Sequence, residues 1–225
     1  MNSRTVIKQK ISLVLNLAIV VMELMAAYQS FSRNGTGMFR FFTEDSNLLA
    51  LAACAVCAAA TIWALKSPRG ILFTGYRTSI GVRKIPGWVY ILKYMATVCL
   101  ALTFIVVIAV LAPVMGGING YKTMLLSDSM LFHHLLCPIL AFVSFVFFEN
   151  EHHFKKRTAL IAVMPVCLYA AIFITLNAKG IADGPYMFLK VNDQPIYMSV
   201  IWFAAIVGGA FMLALGLGRL NRKNS

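Results

Sequence analysis

Two adjacent histidines, His133 and His134, stand in an otherwise apolar stretch between Ser127-Asp128-Ser129 and Pro138. An imidazole changes its charge near neutral pH and can accept, donate or relay a proton. Adjacent helical residues point about 100° apart, so the two rings can face different neighbours. Pro138 adds a local expectation. Its ring clashes with the carbonyl of His134 and it offers no N–H to that carbonyl, so the helix should loosen beside the histidines. Hydrogen bonding between helices is the plain alternative role. No His-x-x-x-His or Glu-x-x-His spacing uses the pair, so no metal or other cofactor is expected.

A second group is Phe41-Phe42-Thr43-Glu44-Asp45-Ser46-Asn47. Ser46 and Asn47 follow Thr43 by three and four residues and share its face on a helix. The same residues also suit a helix start, with Thr43 or Asp45 as cap and Glu44 and Asp45 facing the positive end of the dipole. A third group is Asp183-Gly184-Pro185-Tyr186-Met187-Phe188-Leu189, with aromatics suited to an interface. Glu23 is a carboxylate deep in an apolar run, and such a residue is a functional candidate by default, with a histidine or Asn47 as partner. Lys93 is expected to snorkel from the end of its run. Glu149-Asn150-Glu151-His152-His153, next to Lys155-Lys156-Arg157, reads as a solvated turn.

These groups need elements to position them, and the composition says which. Hydrophobic residues make up 60% of the 225 residues and charged residues 12%. They gather into runs of the roughly 20 residues that a bilayer core about 30 Å thick requires. Without water to satisfy the backbone inside a bilayer, such runs must be helices. The sequence predicts an all-α polytopic membrane protein, a bundle of six transmembrane helices in a single domain, 1–225. The spans fall near 11–31, 46–65, 88–112, 130–148, 158–177 and 196–218. The first is read as a helix rather than a signal peptide, because Glu23 interrupts it and no small-x-small site follows.

Fourteen Lys and Arg residues fall on one set of alternating flanks and five on the other. The basic set is Arg4, Lys8, Lys10, Lys66, Arg69, Arg77, Arg83, Lys84, Lys155, Lys156, Arg157, Arg219, Arg222 and Lys223. Its excess places both termini in the cytoplasm and all three polar groups on the other side. The net charge of +12 is spread over four flanks without interleaved aromatics, which suits anionic lipid and gives no sign of a nucleic-acid partner. Cys54, Cys57, Cys99, Cys137 and Cys167 lie within the runs, and LAACAVCAAA around Cys54 and Cys57 reads as a small-residue packing surface.

Phe41-Phe42-Thr43 with Ser46-Asn47, then Leu131-Phe132-His133-His134-Leu135-Leu136-Cys137-Pro138, then Gly184-Pro185-Tyr186-Met187-Phe188-Leu189, resemble the androgen-induced and ADTRP-type membrane proteins and their bacterial relatives. The order and spacing cover most of the chain. The resemblance implies a six-helix intramembrane threonine hydrolase acting on fatty acid esters of hydroxy fatty acids, in a bacterial cytoplasmic membrane. It puts the nucleophile on Thr43 and the base on His133 or His134. The first spacing to Pro138 is that of the animal members and the second that of the bacterial ones. Under this reading Asn47, Ser46 or a backbone N–H stabilises the oxyanion, and Asp128 or Glu23 orients the histidine. Phe41, Phe42, Phe132, Tyr186 and Phe188 line the site of a membrane lipid or lipid-like ester. The alternative is a non-enzymatic membrane protein, a small transporter or a lipid-binding or assembly subunit, whose polar groups bind a head group or relay protons.

Overall fold

A computed structural model describes residues 3–66, 84–150, 152 and 154–224. Arg69, Arg77, Arg83, Glu151 and His153 lie outside them, as does the side chain of Arg4. The described residues are mostly helical, with no strand among them. Helix α1 spans Ser3–Asn34, α2 Phe42–Leu65, α3 Gly87–Val114, α4 Ile118–Leu126, α5 Asp128–Phe148, α6 Lys156–Ala178 and α7 Ile196–Lys223. All but α4 are long and apolar enough to cross a membrane. The six expected spans are present, and α1 and α7 run further at the termini than the apolar runs alone indicate.

The packing is that of helices in lipid, where small side chains rather than water-driven collapse bring backbones together. On α2, Ala50, Ala53, Cys54, Cys57, Ala58, Thr61 and Ala64 recur at helical spacing and are all buried. This is the small-residue surface expected around Cys54 and Cys57, and α1 and α3 pack against α2. Large apolar side chains point outward instead, among them Val14, Leu17, Val21 and Leu24 on α1 and Leu160, Met164 and Leu168 on α6. That inversion leaves a wide apolar exterior, as an integral membrane protein has and a soluble monomer rarely shows.

Helix α3 touches α2, α5, α6 and α7 and so forms the axis of the bundle. The two termini meet at one end, where the Lys8 ammonium donates to the Asn224 carbonyl at 3.0 Å and to Asn150 Oδ1 at 3.1 Å. The start of α2, the start of α5 and the segment before α7 meet at the opposite end.

Two expectations fail at the end that carries the termini. Lys93 does not snorkel. It is fully buried, with Nζ 2.6 Å from Asn16 Oδ1, 3.0 Å from Cys54 Sγ and 3.8 Å from Glu149 Oε1. Glu149 and Asn150 are not a solvated turn either, being 2% and 3% exposed. Glu149 Oε1 accepts from Ser12 at 2.9 Å, Asn16 at 2.5 Å and Ser144 at 2.6 Å, and Asn221 donates to the carbonyls of Phe145 and Glu149 at the end of α5. The chain folds these residues inward because each finds a partner there, and a buried charge is tolerable when paired and hydrogen-bonded. Cys54 and Cys57 thus do more than pack, since their thiols contact the Lys93 and Glu149 side chains.

Candidate functional site

Thr43 is the second residue of α2 and does not cap it. The cap position is Phe41, in extended conformation and without a side-chain cap bond, and Glu44 and Asp45 occupy the first turn. Backbone N–H groups of a first turn have no partner within the helix. That of Thr43 points at the Tyr186 hydroxyl, 3.4 Å away. Burial pushes the Tyr186 phenol above its ordinary range, so it keeps its proton at neutral pH.

His134 reaches Thr43 from α5, with Nε2 3.3 Å from Thr43 Oγ1. Its Nδ1 lies 2.6 Å from the carbonyl oxygen of Met124. A carbonyl only accepts, so Nδ1 carries the proton, and in neutral imidazole Nε2 is then a lone pair that receives the Thr43 hydroxyl proton. The acceptor exists because α4 ends at Leu126, leaving its last carbonyls free of intrahelical partners. Gly117 starts α4 with a φ of 60° and ψ of −117°, a backbone conformation reserved for glycine.

The loosening expected from Pro138 is present as a π-helical turn over Phe132–Leu136. In that turn the His133 carbonyl would accept from residue 138, which as proline has no N–H. Asn47 Nδ2 takes its place, 3.4 Å from the His133 oxygen and 2.7 Å from the Thr43 oxygen. Ser46 Oγ likewise donates to the Thr43 carbonyl at 2.9 Å and lies 3.2 Å from Thr103 Oγ1. Both side chains are spent bracing the backbone beneath Thr43, so neither is a free donor for an oxyanion formed beside it.

His133 and His134 are both buried and face different partners. His133 lies between Glu23 Oε2 at 3.4 Å from Nε2 and Glu44 Oε2 at 3.6 Å from Nδ1. Glu23 therefore meets His133 and not His134. Asp128 orients neither. Its exposed carboxylate pairs with Arg33 at 2.8 Å, and Asp128→Asn is expected to change the melting temperature in detergent little, as suits an exposed pair worth at most about 1 kcal/mol.

Thr43 opens on its other side into a partly open apolar cavity. Phe42, Tyr186 and Phe188 line it as expected, and α3, α6 and α7 supply Leu102, Thr103, Val166, Tyr169, Ser199 and Trp202. Phe41 and Phe132 are not in the lining. Phe41 is half-exposed and packs edge-on to Tyr186 with centroids 6.3 Å apart, and Phe132 packs against the core around Cys137 and Leu100. Thr103, Tyr169, Ser199 and Trp202 escaped the sequence reading, since a lone polar or aromatic residue inside an apolar run has no distinguishing spacing.

Gly184 lets the loop before α7 close onto the backbone of Leu189. A Cβ there would lie 2.7 Å from the backbone carbon and oxygen of Leu189, neither of which can move as a flexible side chain would. Gly184→Ala is expected to lower stability by roughly 1–3 kcal/mol, read as a fall in melting temperature.

No family model, curated protein or solved structure matches the chain.

Proposed function

We propose that the protein is an integral membrane lipid-ester hydrolase with Thr43 as nucleophile and His134 as general base. The observation that carries this is the contact of His134 Nε2 with Thr43 Oγ1 at 3.3 Å, its other nitrogen held by Met124, with Thr43 itself on the wall of an apolar cavity. A threonine hydroxyl needs such a base to become nucleophilic. Its Oγ1 attacks the ester carbonyl while His134 takes the proton and returns it to the departing alcohol. Water, activated by the same imidazole, then cleaves the acyl-threonine and restores both groups. The Tyr186 hydroxyl, whose oxygen accepts from the Thr43 N–H and whose own proton is left to donate, stands beside Thr43 as the oxyanion donor, and a fixed donor in a dry site lowers the barrier by about 3 kcal/mol.

The cavity suits an acyl chain, because its lining is apolar with a few placed polar groups, among them Thr43, Thr103 and Ser199, as in ligand sites generally. The choice of His134 agrees with the spacing of the bacterial members of the androgen-induced and ADTRP-type class, to which we assign the chain. The excess of basic residues near the termini favours a cytoplasmic location for both, with Thr43 near the opposite face of a bacterial cytoplasmic membrane.

The test is fatty-acid release from a panel of lipid esters by the purified protein in detergent, including fatty acid esters of hydroxy fatty acids. Turnover that is blocked by prior reaction with an alkyl fluorophosphonate supports the assignment. No release from any ester, with no covalent label on the wild-type protein, returns the cavity to the non-enzymatic reading of a lipid-binding subunit.

A further inference from the structure

Beneath the Thr43–His134 pair lies a second group of titratable side chains that the proposed reaction does not use. Glu23 on α1, His133 on α5 and Glu44 on α2 come from three helices and meet in the interior, each at most 5% exposed. The His133 ring stands between the two carboxyl groups at 3.4 and 3.6 Å, yet neither nitrogen nor Glu23 Oε1 has a hydrogen-bond partner among the described residues. Glu44 Oε1 is engaged by the Ser30 hydroxyl at 2.5 Å. Buried polar atoms without partners are uncommon and call for an explanation.

Charge supplies one. Two ionised carboxylates beside a neutral imidazole would place two negative charges in the interior, where like charges close together cannot both persist. Among the described residues, the cations near the trio are already engaged elsewhere. Arg33 on α1 acts on Glu44 and His133, but its guanidinium is shared with the exposed Asp128 carboxylate at 2.8 Å and with Ser129 at 2.5 Å, so it offsets at most one of the two negative charges. Lys93 on α3 is turned to Asn16, Cys54 and Glu149. The remaining titratable neighbours are Asp45 on α2 and His134 and Cys137 on α5, and none brings a fixed positive charge. What Arg33 leaves uncompensated falls to protons.

We propose that Glu23, His133 and Glu44 form a proton-binding site in the bundle, where the trio holds at least one proton beyond two carboxylates and a neutral imidazole at neutral pH. The proton is taken from solvent without any other bond changing. It lies either on the second ring nitrogen of His133 or on a carboxyl oxygen, and in both forms it completes a hydrogen bond between imidazole and carboxyl. The site is separate from the nucleophile and its base, because His134 spends both its nitrogens on Thr43 and Met124. It stands whether or not the protein hydrolyses esters.

The experiment uses the full chain in lipid nanodiscs at neutral pH. Nitrogen-15 spectra of histidine-labelled protein report the His133 ring, assigned by its absence in His133→Gln. Infrared spectra report the deuterium-sensitive carbonyl stretch of protonated carboxyl groups in wild type, Glu23→Gln and Glu44→Gln. A doubly protonated His133 ring, or a protonated-carboxyl band removed by either glutamine substitution, is the expected result. A singly protonated ring in the wild type, together with no carboxyl band removed by either substitution, overturns the proposal. The two substitutions are made in separate proteins, and should neither fold, Glu23→Asp and Glu44→Asp in glutamate-labelled protein keep a carboxyl while removing its isotope-shifted band, and so give the carboxyl answer.

Discussion

Replacing Thr43 by alanine is expected to abolish covalent labelling by an alkyl fluorophosphonate, and replacing His134 by alanine to slow it by roughly 10²–10⁴-fold, the usual contribution of a positioned base. Thr43 carries the attacking oxygen, so nothing substitutes for it. His134 supplies the lone pair 3.3 Å away. Tyr186→Phe keeps the ring against Phe188 and loses only the hydroxyl, and a loss of about 100-fold is expected from removing one oxyanion donor. The sharp comparison is His133→Gln, which leaves the Thr43–His134 contact and the Met124 acceptor in place and should retain most of the labelling. Equal loss in His133→Gln and His134→Ala, with both proteins folded by circular dichroism, would mean that the 3.3 Å contact is not what activates Thr43.

The spans were legible because twenty-residue apolar runs have one stable form in lipid, and the helix count follows from counting them. Thr43 and the histidines were legible as polar residues that an apolar run does not need. The choice between His133 and His134 was not. Both lie in one π turn, and what separates them is the partner each meets: an α4 carbonyl and Thr43 for one, two carboxylates for the other. Those partners come from residues 10 to more than 100 positions away, beyond any local pattern.

A signal for the buried polar groups did exist along α1. Ser12, Asn16, Ile19, Glu23, Ala26 and Ser30 recur every three or four residues, and every one is buried. A stripe of small and polar residues at this period marks the face that meets other helices in a membrane, just as an apolar stripe does in water. It runs from the Glu149 cluster at one end to Glu44 at the other, and Glu23 viewed alone conceals it. Lys93 and Glu149 were misread for a related reason. Each sits near the end of its run, where snorkelling and solvation are the default, and only the approach of Asn16 and Ser12 from α1 makes a buried position affordable.

That cluster predicts the largest change in stability. Lys93 and Glu149 are fully buried, and removing one member leaves the other as an uncompensated charge. Lys93→Met and Glu149→Leu are each expected to destabilise the protein by about 3–5 kcal/mol. The double variant should be much less destabilised than the sum, since apolar side chains in place of a buried pair are often close to neutral. Unfolding in mixed detergent and SDS micelles, followed by tryptophan fluorescence, measures the cycle. Glu149→Gln tests the same point more gently: it keeps the acceptor for Ser12, Asn16 and Ser144 but removes the charge opposite Lys93, so its cost separates ion pairing from hydrogen bonding. Strict additivity of the two single substitutions would show that Lys93 is compensated through Asn16 and Cys54 rather than through the carboxylate. In that case the polar stripe on α1, and not the ion pair, holds this end of the bundle together.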